Sequence, residues 1–484
     1  DNQVRCVLED DFKHIWVGTF KGIDCYDPVT DTWSHYTRYG SSSNSLSHTS
    51  ILSLHKDMQG NIWVGTYYGG VNVFNPDKNN HSFYCAEPLR EDCLSFPVVG
   101  KMTEDSAGNV WICTEGGGLN CYHGDTGVFS RYMYHKGDQG TLGSNNVKSI
   151  FYRKENNRLY AGTHLGGLFV LDLKSNKGHT LHHVTGDPAS LPHEIVNDIQ
   201  EYKDGIAMLT QGGPVFFDPV TEKFSPLTDD PSVQKLISRE YAFETFLIDS
   251  RHRMWLAVGG GGIVCVNLSS SKVTQYMADS EKDTLTVGRY KTVHIFEDNK
   301  GDIYFSTIGA GIFKYQEKQD TFKSYGTTNG VLPSNYCYYI CESARDNCLL
   351  VLHGKGLSIF DREKEVTEET YHLFRQTYNL GSALYRSKNG IIYISGTNGL
   401  AMFQERSFYE SQVKSFLNFD KLFIFNDEIA PGDESGILTE ILAKTSDIFL
   451  SYQQNNVTVE FATFNYNSAV SYTHLRAHET EADL

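Results

Sequence analysis

Apolar and polar residues alternate along this chain in short runs, each the length of a strand and each closed by a turn. The pattern is clearest over residues 51–84. Ile51-Leu-Ser-Leu-His55 is followed by the turn Asp57-Met-Gln-Gly60, then by Ile62-Trp-Val-Gly65, Gly70-Val-Asn-Val-Phe74 and Ser82-Phe-Tyr84. A period of two marks strands. The Asp-x-x-Gly box between them marks a tight reversal, because Gly accepts positive φ and Asp folds back onto backbone N–H groups. The spacing predicts four antiparallel strands, A to D, with Ser82–Tyr84 as the outer strand D of this unit.

The unit repeats. Asn61-Ile-Trp-Val-Gly-Thr66 recurs as His14-Ile-Trp-Val-Gly-Thr19 and Asn109-Val-Trp-Ile-Cys-Thr114. Weaker copies stand at Arg158–Thr163, Arg253–Val258, Asp302–Thr307 and Ile391–Gly396, and degenerate ones at Gly205–Thr210 and Cys348–His353. Trp16, Trp63, Trp111, Tyr160, Ala207, Trp255, Tyr304, Leu350 and Tyr393 therefore mark nine units, the first four spaced by 47, 48 and 49 residues. A four-stranded unit at this period is the blade of a β-propeller. The segments between strands leave no room for crossover helices, which disfavours leucine-rich, α-solenoid and α/β-barrel readings. Four of the five Trp residues share the strand-B position, so their repetition points to packing between blades rather than to ligand stacking.

Beyond the last unit the pattern changes. Phe416–Phe419, Lys421–Phe425, Ile448–Tyr452 and Val457–Phe461 alternate without the blade signature and read as a small β-sandwich cut short. Ser471–Leu484 shows no strand alternation and an abrupt change of composition, and reads as a non-native adaptor tail.

Composition narrows the function. A net charge of −17 argues against nucleic acid or an anionic membrane surface, since both require a basic face. No apolar run is long enough to cross a bilayer. The chain begins at Asp1 without a signal peptide, so it reads as a mature form or a fragment. Of the ten cysteines, Cys25, Cys121 and Cys265 occupy a strand position that is Val73 or Val170 in other units, and are expected to be small buried hydrophobes. Cys85–Cys93 and Cys341–Cys348 are candidate disulfides, and Cys337, Cys341 and Cys348 lack a fourth ligand for zinc.

Catalysis finds little support. Asp57, Asp105, Asp249 and Asp298 recur at the turn, where their role is structural, so no pair of carboxylates is set aside for glycoside cleavage. Gly259-Gly-Gly-Gly262 leads into a strand and not a helix, so it cannot cradle phosphate, and no Asp-x-Asp-x-Asp-Gly calcium loop occurs. No catalytic residue, metal site or cofactor is expected.

Strand A followed by Asp-x-x-Gly-Asn-Ile-Trp-Val-Gly-Thr and Gly-Gly, best seen at Leu52–Gly70 and Met102–Gly118, resembles the two-component-regulator propeller repeat over roughly residues 1–405. Leu450–Tyr466 resembles the Ig-like domain that follows such propellers. The combination is similar to the periplasmic sensor of hybrid two-component regulators of gut Bacteroidetes. That resemblance implies an all-β fold with a seven-bladed β-propeller over 98–412. The last two blades of an upstream propeller would fill 1–97, and a truncated sandwich 413–470. It further implies a periplasmic ectodomain of an inner-membrane protein that binds an oligosaccharide and works as a homodimer. The transmembrane helix and histidine kinase would lie outside the chain. A propeller hydrolase or lyase acting on glycans, and a protein-interaction scaffold, are the competing readings.

In a propeller the D-to-A and B-to-C loops emerge on one face, and they differ between units where the framework does not. The D-to-A loops offer Asn146, His193, Glu194, Arg239, Arg289, Tyr290, Asn335 and Tyr336. The B-to-C loops add Tyr67, Tyr68, Glu115, His164, Gln211, His353, Lys355 and Asn398. Aromatic rings with amides and charges suit a sugar, whose C–H faces meet rings while its hydroxyls meet polar groups.

Overall fold

The structure is a computed structural model that describes residues 3–29, 31–38, 46–58, 60–76, 81–86, 93–138, 140–278, 287–371, 380–406, 417–463 and 475–479. The chain divides into two compact units, Asn80–Tyr409, and Asp1–Asn79 with Glu410–Leu484.

The first of these units is built of seven four-stranded antiparallel sheets. Their innermost strands, in order, are Val99–Glu104, Val147–Arg153, Val196–Tyr202, Phe243–Ile248, Lys291–Glu297, Cys337–Glu342 and Leu380–Arg386. Each packs against the next, and Leu380–Arg386 packs against Val99–Glu104, so the sheets close into a ring around a central channel. Strand A is innermost throughout, and the cores lie between neighbouring sheets.

The ring closes with a strand that the sequence pattern places elsewhere. His81–Tyr84 is not strand D of the unit marked by Trp63. It pairs with Leu400–Phe403 as the outer strand of the seventh sheet, and Tyr84 packs on Tyr122 and Phe129 of the first. The Trp63 sheet is left with three strands. Alternation identifies a strand but not its partner, and an open edge at Leu400–Gln404 would otherwise be left unpaired.

The recurring Asp and Trp form one device. Trp16, Trp63, Trp111 and Trp255 donate their indole N–H to Asp10, Asp57, Asp105 and Asp249 at 2.8–2.9 Å. The other carboxylate oxygen caps the turn, as Asp249 Oδ1 does for the N–H groups of Arg251 and Arg253. The ring is thereby tied to the A–B turn of its own sheet while packing on the neighbour. In the fifth sheet Tyr304 replaces Trp and cannot reach. There Arg362 Nη1 comes in from the sixth sheet and binds Asp298 at 2.8 Å.

A second device joins the outer rim. At the C–D turns Asn176, Glu222, Ser271, Asp320 and Glu365 adopt left-handed backbone, with φ between 52° and 57°. Each is hydrogen-bonded to strand D, or the segment just after it, in the preceding sheet: Tyr132, His179, Thr228, Tyr276 and Tyr325 respectively.

A short helix, Pro231–Lys235, continues through a wide turn to Glu240 in the loop before the fourth sheet. Asp230 caps it by accepting from the Ser232 and Val233 N–H groups, and Val233 and Ile237 seat it on Leu209 and Phe243. No helix among the described residues is long and apolar enough to cross a membrane.

The second unit contains the sheet Val4–Glu9, Ile15–Thr19, Ile23–Asp27, Thr32–Tyr36 and the three-stranded Trp63 sheet. It also contains a four-stranded sheet ordered Asp427–Ile429, Leu417–Ile424, Val457–Thr463, Leu475–Glu479. Two expectations fail here. Ile448–Tyr452 forms no strand, and its Phe449 and Tyr452 are 86% and 88% exposed. Leu475–Glu479, expected to be irregular, pairs with Val457–Phe461, whose free backbone groups accept a strand whatever its side-chain pattern. Phe416 lies outside the described residues.

Cys25, Cys121 and Cys265 are buried as expected, and burial pushes their thiols up to about 11, 12 and 12. Cys341 and Cys348 form no disulfide, since the register sets Cys341 against Leu350.

Candidate functional site

The D-to-A and B-to-C loops do share one face of the ring, because the start of each strand A pairs with the end of strand B. Val147 with Thr163 and Val196 with Thr210 show this register. The seven innermost strands, and the first strands Val4–Glu9 and Ile51–Lys56 of the other unit's two blade-like sheets, each carry an irregularity near their start. Such a bulge turns side chains out of the normal alternation, and Lys148 and Glu244 are re-aimed in this way. Lys148 reaches Glu115 at 2.8 Å, and Glu244 reaches Lys291 at 2.9 Å.

The predicted residues separate into framework and surface. His353 is fully buried and bonds Ser358 Oγ through Nε2 and the Lys355 N–H through Nδ1. Both of its ring nitrogens are thus engaged inside the sixth sheet. Glu194 takes the His183 N–H and the His182 ring, and its carbonyl accepts from Gly166 and Gly167. His193 Nδ1 receives the Ile195 N–H, and Asn335 Oδ1 receives the Thr327 N–H. Asn146 pairs by backbone with Glu115, and its carbonyl accepts from half-buried His164. Tyr290 is half-buried beside Phe313. Gln211, Arg289, Tyr336, Lys355 and Asn398 are exposed on the loop face, Tyr336 at 55%. The Arg239 side chain lies outside the described residues. Tyr67 and Tyr68 belong to the other unit, where their exposed rings meet edge to face at 4.4 Å and Arg5 lies over Phe20.

Sequence reading missed a polar cluster on the channel wall. At one equivalent position the successive innermost strands carry Lys101, Ser149, Asp198, Thr245, His294, Tyr339 and Ala383. Lys101 Nζ lies 2.5 Å from Asp198 Oδ1, spanning from the first sheet to the third, and Thr245 Oγ1 donates to Asp198 Oδ2 at 2.7 Å. His294 stacks on Tyr339 at 3.6 Å and accepts the Ile340 N–H on Nδ1. Burial, with the Lys101 charge adding to it, holds the His294 imidazole down at about 3. The signal was present: Cys6 and Ser53 hold the same position in the other unit, so charge there departs from a small-residue pattern.

That depressed imidazole predicts an acid-sensitive ring. The unfolded chain takes up the proton near pH 6.5 and the folded one only near 3, so stability falls with pH throughout that interval. Between pH 7 and 5 the loss from a partly accessible ring is roughly 1–2 kcal/mol. Denaturant titrations should show it in the parent and not in His294→Gln, which keeps an acceptor for Ile340.

One cleft, of about 280 Å³, lies at the opposite end of the sheets, between the turns at Asn299 and Asn347 and beside Arg362. A smaller one of about 180 Å³ is lined by Pro192, Pro214, Phe224 and Ile237. Among the described residues no group of three or more His, Cys, Asp or Glu side chains is placed to hold a metal ion.

Residues 45–68 match the family described as two component regulator propeller. The chain is also similar to Histidine kinase P4 of Formosa agariphila, at 25% identity over 261 residues. That match covers 52% of this chain but only 18% of the kinase, so the chain spans a small part of that relative. In fold it is similar to the extracellular domain of a hybrid two component system from B. thetaiotaomicron. The TM-score is 0.67 at 20% identity, over 99% of this chain and 68% of that one. The extracellular domain of a one component system from the same organism gives 0.55 at 18% identity, over 95% and 60%. The matched residues 45–68 contain one copy of the Asp–Trp device, Asp57 with Trp63.

Proposed function

We propose that this chain is the extracytoplasmic sensing region of a hybrid two-component regulator, non-catalytic in itself. It binds an oligosaccharide and relays that event, as a homodimer, to a histidine kinase beyond these residues. A downstream helix would attach it to the membrane, and residues 1–79 would be the closing blades of a preceding ring. The similarity to Histidine kinase P4 carries this reading. The loop face supports it: Gln211, Arg289, Tyr336, Lys355 and Asn398 differ in chemistry from one sheet to the next, on a framework that repeats.

Calorimetric titration with neutral and acidic oligosaccharides, followed by chromatography of the mixture, tests it. Stoichiometric binding without turnover is expected. Released product would overturn the sensor reading in favour of a hydrolase or lyase, and no binding of any glycan would overturn the saccharide.

A further inference from the structure

Two groups in the channel wall have hydrogen-bonding capacity left over. His294 uses Nδ1 as acceptor for the Ile340 N–H, so its neutral ring carries the proton on Nε2. Among the described residues neither that N–H nor the Tyr339 hydroxyl has a partner. Both side chains are only partly covered, as are Lys101 at 29% and Asp198 at 14%. All four stand at the same register position of their innermost strands, Lys101 paired with Asp198 and His294 stacked on Tyr339, so they line one level of the channel.

The chemistry of the set is specific. Lys101 and Asp198 cancel in charge and His294 is neutral, so an ionic ligand would find no net countercharge. The ammonium and the imidazole N–H donate, the carboxylate accepts, and the phenol does either. A ligand that both donates and accepts at adjacent atoms satisfies all four, and adjacent hydroxyl groups on a sugar have that property. Tyr339 is stacked on His294 and packs against the neighbouring cores, so recognition here is by hydrogen bonds and not by ring stacking. We propose that Lys101, Asp198, His294 and Tyr339 form a site in the channel for one neutral sugar unit bearing adjacent hydroxyls. The site is distinct from the loop face above it. The proposal rests on the sensor reading and adds where the ligand ends and what its terminal unit is.

The test titrates the full chain with neutral cello-, xylo-, manno-, arabino- and fructo-oligosaccharides and with acidic oligogalacturonides. Tyr339→Phe and His294→Gln are compared with the face variants Tyr336→Ala and Lys355→Ala, with thermal melts as the check on folding. Each channel variant is expected to weaken binding of a neutral oligosaccharide by roughly 5- to 10-fold, the worth of one hydrogen bond, with an unchanged melting temperature. Binding lost in the face variants but untouched by the channel variants would overturn the channel site and leave the sensor reading intact. Binding of oligogalacturonides alone would overturn the neutral sugar. No binding of any probe would overturn both readings.

Discussion

A chain cut to residues 98–409 should melt about 6 °C below one cut to residues 80–409, and should self-associate. The two differ by the segment containing His81–Tyr84, which completes the seventh sheet against Leu400–Phe403. Without it, the edge of Leu400–Gln404 is open, and Tyr84 no longer packs against Tyr122 and Phe129 across the closure. Phe83 is also lost from the cluster around Phe403. Two half-buried aromatic side chains and their ladder bonds amount to roughly 4 kcal/mol. For a unit of this size that is a shift of about 6 °C. The bare edge makes association the expected consequence. Thermal melts with light scattering read both effects, and equal melting points would show that the ring closes by other means.

The second large effect is at Asp249. Its carboxylate is buried and takes four donors: the N–H groups of Arg251 and Arg253, Arg253 Nε at 2.7 Å and Trp255 Nε1 at 2.9 Å. Asp249→Ala orphans a fully buried indole N–H and strands the mostly buried Arg253 guanidinium, for a cost of about 3–5 kcal/mol. Trp255→Phe keeps an aromatic ring against Phe305 and Tyr315 and should cost about 1–3 kcal/mol. The double variant should cost less than the two added together, because no indole remains to be left unpaired. Denaturant unfolding of the four proteins measures this, and strict additivity would mean that the indole–carboxylate bond does not hold the turn.

Much of the architecture was legible because its signals are local. Period-two alternation, Asp-x-x-Gly turns and the Trp position each act over fewer than ten residues, and between them they mark a strand B in every sheet of the ring. The loop face was legible for the same reason, since loop order follows strand order. What escaped was pairing at a distance. Ser82–Tyr84 has the pattern of a strand D, and nothing within it says that its partner lies more than three hundred residues on. The Ile448–Tyr452 pattern failed in the opposite sense: alternation is necessary for a half-buried strand, but without a neighbour to pair with it remained irregular. His353 looked like a loop residue, and only packing showed both of its ring nitrogens already engaged.

By itself, then, the sequence determined the repeat, the order of strands, the turns and the chemistry available on the variable loops, since each is encoded by residues close together in the chain. Tertiary structure alone decided how the ring is sealed, that Arg362 substitutes for a missing tryptophan at Asp298, and that Lys101 meets Asp198 and His294 meets Tyr339 at one level of the channel. Those residues are spaced about one repeat or more apart, and only the rotation from sheet to sheet around the ring turns that separation into contact.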